Sequence, residues 1–300
     1  MGVSTEPNGT APDMVMKSDG LLPGTTFPAN GTAIQTSDKK STQHDPPACF
    51  DGPVIHGKST TVTLYEPAQL AKSPAIPALY HVINRAFSES HAGTGVLPAS
   101  IDRLDSPEQF LQQVGNDPGT FVYIITWTGT DEPIATVGAH RYVTPVVISD
   151  VGSGKQGSTF KRVHLPKAPR REIEGREAWH QRVQSPTTSP ADAGMETWEL
   201  KTMAVDTKLQ GQGLASYLMK LVDEEVKRRF RATLLAESTD EQMYAARRQF
   251  HMVLTTLKEC NETFYARRGY MHDYETAHEP GFLGSPTGFH VLHMSKILEV

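Results

Sequence analysis

Residues 196–219, ETWELKTMAVDTKLQGQGLASYLM, constrain the fold of this chain more than any other stretch. Trp198, Leu200, Met203 and Val205 stand among polar residues as in a buried strand, and Gly211 and Gly213 then allow a sharp turn into a helical run. A strand, a glycine turn and a helix start together make a place for an anion. The first-turn N–H groups of a helix have no partner within it, and the helix dipole adds about half a positive charge, so a phosphate or pyrophosphate is the natural ligand. Past the turn, Leu214, Leu218, Leu221, Val222 and Val226 line one face, while Lys220, Asp223, Glu224, Lys227 and Arg228 line the other. That helix is expected to pack on a sheet.

The remaining elements fall into place around this unit. Residues 1–57 are rich in Pro, Gly, Ser, Thr and Asn without periodicity, and are expected to form a disordered tail, because they bury too little apolar surface to offset the entropy of ordering. The run TTVTLYEP from Thr60 alternates like a strand and stops at Pro67. Leu79, Val82, Ile83, Ala86 and Phe87 predict a helix over residues 77–89, and SPEQFLQQV offers Ser106 as an N-cap with Pro107 in the first turn and Gln109 for a capping box. Residues 120–127 and 133–143 read as an antiparallel hairpin.

Residues 148–194 lose periodicity and are expected to be an insertion. Between Lys155 and Arg182 it holds eight Lys/Arg against three Glu. Such a segment is a solvated excursion, or else a lid or docking element for an anionic partner. Residues 232–239, ATLLAEST, are expected as the next strand, parallel to the first through the helical crossover. Helical sequence is then expected over 240–268, ending at Gly269, followed by strands MHDYETAH and FHVLHMSKIL.

Composition excludes several functions. A net charge of −5 argues against nucleic-acid binding. Cys49 and Cys260 are the only cysteines, which leaves no disulfide framework and no cysteine metal cluster. The His residues lack the Cys or carboxylate company of a zinc site, so no metal is expected. No signal-like or membrane-length apolar run is present, so the expected location is the cytoplasm, with no membrane partner. The Gln-Gly-Gln-Gly turn lacks the Gly-Lys-Ser/Thr ending of a nucleotide P-loop, and no GxGxxG follows a strand.

The order of elements, the Gln210-Gly211-Gln212-Gly213-Leu214-Ala215 turn after Ala204-Val205-Asp206, and Tyr265-Ala266-Arg267-Arg268-Gly269-Tyr270 further on resemble the GCN5-related N-acetyltransferase (GNAT) superfamily. The resemblance covers roughly residues 60–298. It implies an α/β (α+β) acyl-CoA N-acyltransferase-like fold over residues 58–300, with a central mixed β-sheet flanked by helices. It also implies acetyl-CoA as co-substrate, its pyrophosphate cradled by backbone N–H groups from Gly211 to Ala215, with Gln210 and Gln212 in the same turn. Backbone groups of Met203, Ala204 and Val205 would bond the pantetheine arm and polarise the thioester carbonyl.

An ammonium must lose a proton before it can attack, and the resemblance makes Glu199 the candidate base. Glu199 stands six residues before Val205, a spacing that puts both on one side of a regular strand. Tyr265 matches the position of the acid that protonates the departing thiolate. Lys258 stands where family members often carry Asn, and Asn261 is displaced from that position by three. The expected activity is direct acetyl transfer to a primary amine of a small molecule. The alternatives are a protein or peptide acceptor, or a non-catalytic acyl-CoA sensor.

Overall fold

The computed structural model describes residues 46–116, 119–142, 196–237 and 249–300. The strands are β1 (Ala48–Asp51), β2 (Thr60–Tyr65), β3 (Phe121–Trp127), β4 (Pro133–Arg141), β5 (Glu196–Val205), β6 (Gln249–Leu257), β7 (Met271–His278) and β8 (Phe289–Glu299). The helices are α1 (Pro67–Leu70), α2 (Ile76–Ala92), α3 (Pro107–Val114), α4 (Leu214–Glu237) and α5 (Lys258–Ala266). All eight strands share one sheet in the order β1-β2-β3-β4-β5-β6-β8-β7. Every neighbouring pair is antiparallel except β5 and β6, which run parallel through α4.

Helices cover both faces of this mixed sheet, and β3 shows how the sequence arranges that. Phe121, Tyr123 and Ile125 point into a core with Leu214, Leu218 and Val222 of α4, while Val122 and Ile124 point into a second core with Leu79 and Ile83 of α2 and Phe110 of α3. Of the predicted apolar face of α4, Leu214, Leu218, Val222 and Val226 are each no more than 1% exposed, and Leu221 packs partly buried against the same core. At about 1.5–3 kcal/mol per buried side chain, this face holds α4 against the sheet. No helix among the described residues is long and apolar enough to cross a membrane.

The predicted strand from Thr60, the helices of α2 and α3, the hairpin β3–β4 and the strands β7 and β8 all form. Ser106 caps α3 by accepting from Gln109 N–H at 3.3 Å, but the Gln109 side chain accepts from Asp105 N–H, so the reciprocal bond is shifted by one residue. At the end of α5, Gly269 adopts φ 83°, its N–H bonds Ala266 C=O, and Tyr270 N–H reaches back to Tyr265 C=O at 3.2 Å. This is a Schellman cap. Its usual apolar contact is supplied by Tyr265 and Tyr270, ring centroids 5.8 Å apart, which accounts physically for Tyr265-Ala-Arg-Arg-Gly-Tyr270.

Three expectations need correction. The sheet begins inside the expected 1–57 tail: β1 pairs with β2, and Ile55 is fully buried. The rest of that tail, to residue 45, and the whole of the expected 148–194 insertion lie outside the described residues. Over residues 232–237 the predicted 232–239 strand is instead helix, because α4 continues unbroken to Glu237, as its Ala, Leu and Glu content favours, and residues 238–239 lie outside the described residues. The parallel partner of β5 is β6, in a stretch expected to be helical. Phe250, Met252 and Leu254 alternate into the core, and Thr255 and Thr256 are β-branched.

Candidate active site

One edge of β5 stays paired to β4 as far as Val205, but the other edge pairs with β6 only from Glu196 to Glu199. Both strands continue past that point, β5 to Val205 and β6 to Leu257, without a ladder between them. A cleft of about 1590 Å³ opens there, with residues 200–205 on one wall and 254–257 on the other. Backbone N–H and C=O groups on those two edges are left to face the cleft, where an extended ligand can take the place of the missing strand pairing.

A bulge alters which way β5 presents its side chains. Gly138 of β4 pairs with Lys201 and Thr136 with Ala204, so β5 carries one extra residue between the two registers. Thr202 absorbs it at φ 49°, a strained conformation for a β-branched residue. The six-residue spacing therefore does not keep Glu199 and Val205 on one face. Val205 joins the α4-side core with Trp198 and Leu200, whereas Ala204 joins the α2-side core. Parity fails because it assumes a regular strand.

At one end of the cleft stands the start of α4. Gly211 and Gly213 adopt φ 79° and 82°, as the predicted turn requires, and Tyr217 N–H makes the first helical bond to Gly213 C=O at 2.9 Å. The N–H groups of Leu214, Ala215 and Ser216 thus have no acceptor within the helix. Gln210, Gly211, Gly213, Leu214 and Ala215 line the cleft. Gln212 does not: it is buried, and its N–H turns inward to Leu209 C=O at 3.4 Å.

Polar residues to which the sequence assigned no site role flank this end. Arg268 bonds the Ser216 hydroxyl, bonds Phe264 C=O at 2.6 Å and lies 3.5 Å from the Phe264 ring centre, and Lys220 lies one helical turn past Ser216. Arg268 belongs to the quoted Tyr265–Tyr270 motif, so its cation was visible there. Asn261 also lines the cleft, with its amide donating to Thr256 Oγ1 at 3.1 Å. Lys258 turns away to pair with Glu275 of β7 at 2.7 Å.

Glu199 lies on the cleft wall where β5 and β6 part. Its Oε2 accepts from His140 Nε2 at 2.9 Å, and Lys201 Nζ stands 3.5 Å away. A carboxylate only accepts, so the His140 hydrogen sits on Nε2. Burial alone would raise the Glu199 pKa, but the His140 hydrogen bond and the Lys201 charge outweigh it and hold the group below its ordinary value. Tyr265, in the last turn of α5, also lines the cleft and is 7% exposed, its ring edge-on to Phe264 and Tyr270. Burial pushes its hydroxyl pKa well up, against the pull of Arg268 and Arg103, so the hydroxyl keeps its proton at neutral pH.

Residues 148–259 match the family model described as "Acetyltransferase (GNAT) domain". Over that stretch the chain is similar to a GNAT acetyltransferase domain. The matched stretch takes in Glu199 and the Gln210–Ala215 turn, begins within the expected insertion and stops short of Tyr265. No curated protein matches the chain. Among solved structures, the ribosomal-protein-S18-alanine N-acetyltransferase from Escherichia coli is similar at 12% identity and TM-score 0.41, over 80% of this chain and 95% of that one. An acetyltransferase of the GNAT family from Streptococcus pneumoniae is similar at 14% identity and TM-score 0.39, over 80% and 99%. The NatC complex bound to Gag peptide and CoA is similar at 11% identity and TM-score 0.40, over 79% and 98%.

Proposed function

We propose that the acetyltransferase moves an acetyl group from acetyl-CoA directly to the primary amine of a small molecule. The observation that carries this reading is the parting of β5 and β6 beside the N-terminus of α4, with Glu199 and Tyr265 on the walls of the same cleft. The residues present fit the co-substrate. The free N–H groups at 214–216 suit a pyrophosphate, with Arg268 and Lys220 adding positive charge, and the open edges of residues 203–205 and 254–257 suit an extended amide-bearing arm. Acetyl-CoA supplies the activated acyl group.

Glu199 is ionised at neutral pH, so it attracts an ammonium into the cleft and takes up its proton, directly or through a water. His140 and Lys201 fix the carboxylate in place for this. Tyr265, protonated and buried, is the donor for the sulfur that leaves. The acceptor enters between α2, the 93–105 loop and the C-terminal turn around Phe282, where Phe87, Phe282 and Phe289 line the cleft. The test is thiol release from acetyl-CoA over a panel of small amines and peptides, after calorimetry of acetyl-CoA binding. Turnover on small amines is expected. Binding of acetyl-CoA with turnover on peptides alone would overturn the small-molecule reading, and no binding would overturn acetyl transfer.

A further inference from the structure

The recess holds a cation with nothing to grip. Arg103 lies between α2 and α3 and lines the same cleft as Glu199 and Tyr265, its guanidinium 5.8 Å from the centre of the Phe87 ring. The arginines that hold the fold together are all tied to oxygen. Arg85 pairs with Asp206, Arg141 with Glu196, Arg228 and Arg229 with Glu225, and Arg268 with Phe264 C=O. Among the described residues, no carboxylate, carbonyl or hydroxyl hydrogen-bonds Arg103.

Arg103 is not simply a solvated surface arginine either. Water reaches it, yet enough protein surrounds it that desolvation lowers its pKa, and its charge is felt by both Tyr265 and His91. A guanidinium never loses its charge in a protein, so this one stays a partly desolvated cation with five donors in a planar fork. Aromatic rings line the same cleft: Phe87 lies tilted against His91 with ring centres 4.1 Å apart, and Phe282 and Phe289 stand 5.8 Å apart with His278 against both.

We propose that the acceptor is an amine that also bears a carboxylate and an apolar side chain, as in an aromatic or large aliphatic amino acid, with Arg103 as the fork that takes the carboxylate. The inference rests on the acetyl-transfer reading above and names its substrate class. Such an acceptor carries two opposite charges, and the recess offers a complement to each, Glu199 for the ammonium and Arg103 for the carboxylate. The aromatic walls take the side chain. An arginine–carboxylate pair is bidentate and charge-assisted, which makes Arg103 a specificity determinant.

The test compares phenylalanine with 2-phenylethylamine, which lacks only the carboxylate. In the wild-type protein with saturating acetyl-CoA, kcat/KM is expected to favour phenylalanine by about 10- to 100-fold. Arg103→Ala should bring the two amines to within about threefold, and Arg103→Lys should restore part of the preference, because a point charge keeps the attraction and loses the fork. The same contrast is read without turnover in the binding of N-acetylphenylalanine and N-(2-phenylethyl)acetamide to the CoA complex. Equal handling of the two by the wild-type protein, or an equal loss on both in Arg103→Ala, would overturn the proposal. Failure of acetyl-CoA to bind would instead overturn the acetyl-transfer reading beneath it.

Discussion

Where α4 begins, the cleft wall is made largely of backbone, with first-turn N–H groups and two open strand edges supplying the polar contacts. At the other end, where α2, the 93–105 loop and the C-terminal turn meet, the wall is made of side chains such as Phe87, Arg103 and Phe289, drawn from distant parts of the chain. The first kind of wall follows from a local pattern of strand, glycine and helix, and it binds what any chain with that pattern binds. The second follows from tertiary packing alone. A site built this way keeps its donor chemistry fixed while the acceptor is set by side chains that can change without disturbing the sheet.

Glu199 sits between the two ends, and its removal is expected to have the largest effect. Glu199→Gln should lower kcat/KM by about a thousandfold with little change in acetyl-CoA affinity. The pKa is lowered in the folded protein, so the ionised group stabilises the fold fully above the ordinary carboxylate value, and this is lost as pH falls through the lowered one. The melting temperature of Glu199→Gln should therefore lie below that of the wild type at neutral pH, and the gap should close in acid. His140→Ala should raise the acid limb of the pH–rate profile. An unmoved limb would separate Glu199 from the proton transfer.

At the backbone end, Gly213→Val should weaken acetyl-CoA binding by about 100-fold in calorimetry, because valine strains at φ 82° and its side chain crowds the free N–H groups. Turnover at saturating acetyl-CoA should fall less. An equal loss in kcat would mean that the turn serves the chemistry as well as the binding. Tyr265→Phe should cost some tens-fold in kcat, with the KM for acetyl-CoA unchanged and the fold kept, since the ring packing survives. A normal kcat would leave Tyr265 as a packing residue.

The smallest effects come from α5, where two neighbouring residues should behave differently. Asn261→Ala removes a side chain that faces the cleft and should weaken acetyl-CoA severalfold. Lys258→Ala removes a half-exposed partner of Glu275 and should change stability by about 0.5 kcal/mol or less, with acetyl-CoA binding untouched. If Lys258→Ala weakened binding and Asn261→Ala did not, the assignment of that helix face would be reversed.

What could be read from the sequence follows the same division. The β5–turn–α4 unit was legible because Gly211 and Gly213 mark positive φ and the apolar residues of α4 recur at helical spacing. β6 was not, since its strand alternation is short and ATLLAEST before it offered a competing strand, whose residues 232–237 the helix propensity of Ala, Leu and Glu in fact carries into α4. β1 was hidden because four residues between prolines and glycine carry almost no local signal, and only pairing with β2 makes them a strand. The bulge at Thr202 was invisible to any parity argument. Arg103 carries no motif at all, and only the folded chain shows it lining one cleft with Tyr265.

Whether backbone holds the co-substrate where β5, β6 and α4 meet can be read from amide hydrogen exchange on the wild-type protein with and without acetyl-CoA. Bound acetyl-CoA should slow exchange at residues 203–205 and 214–216 and leave the β1–β3 edge of the sheet unchanged. Binding that protects neither segment, or protects amides elsewhere in their place, would contradict a backbone-held co-substrate.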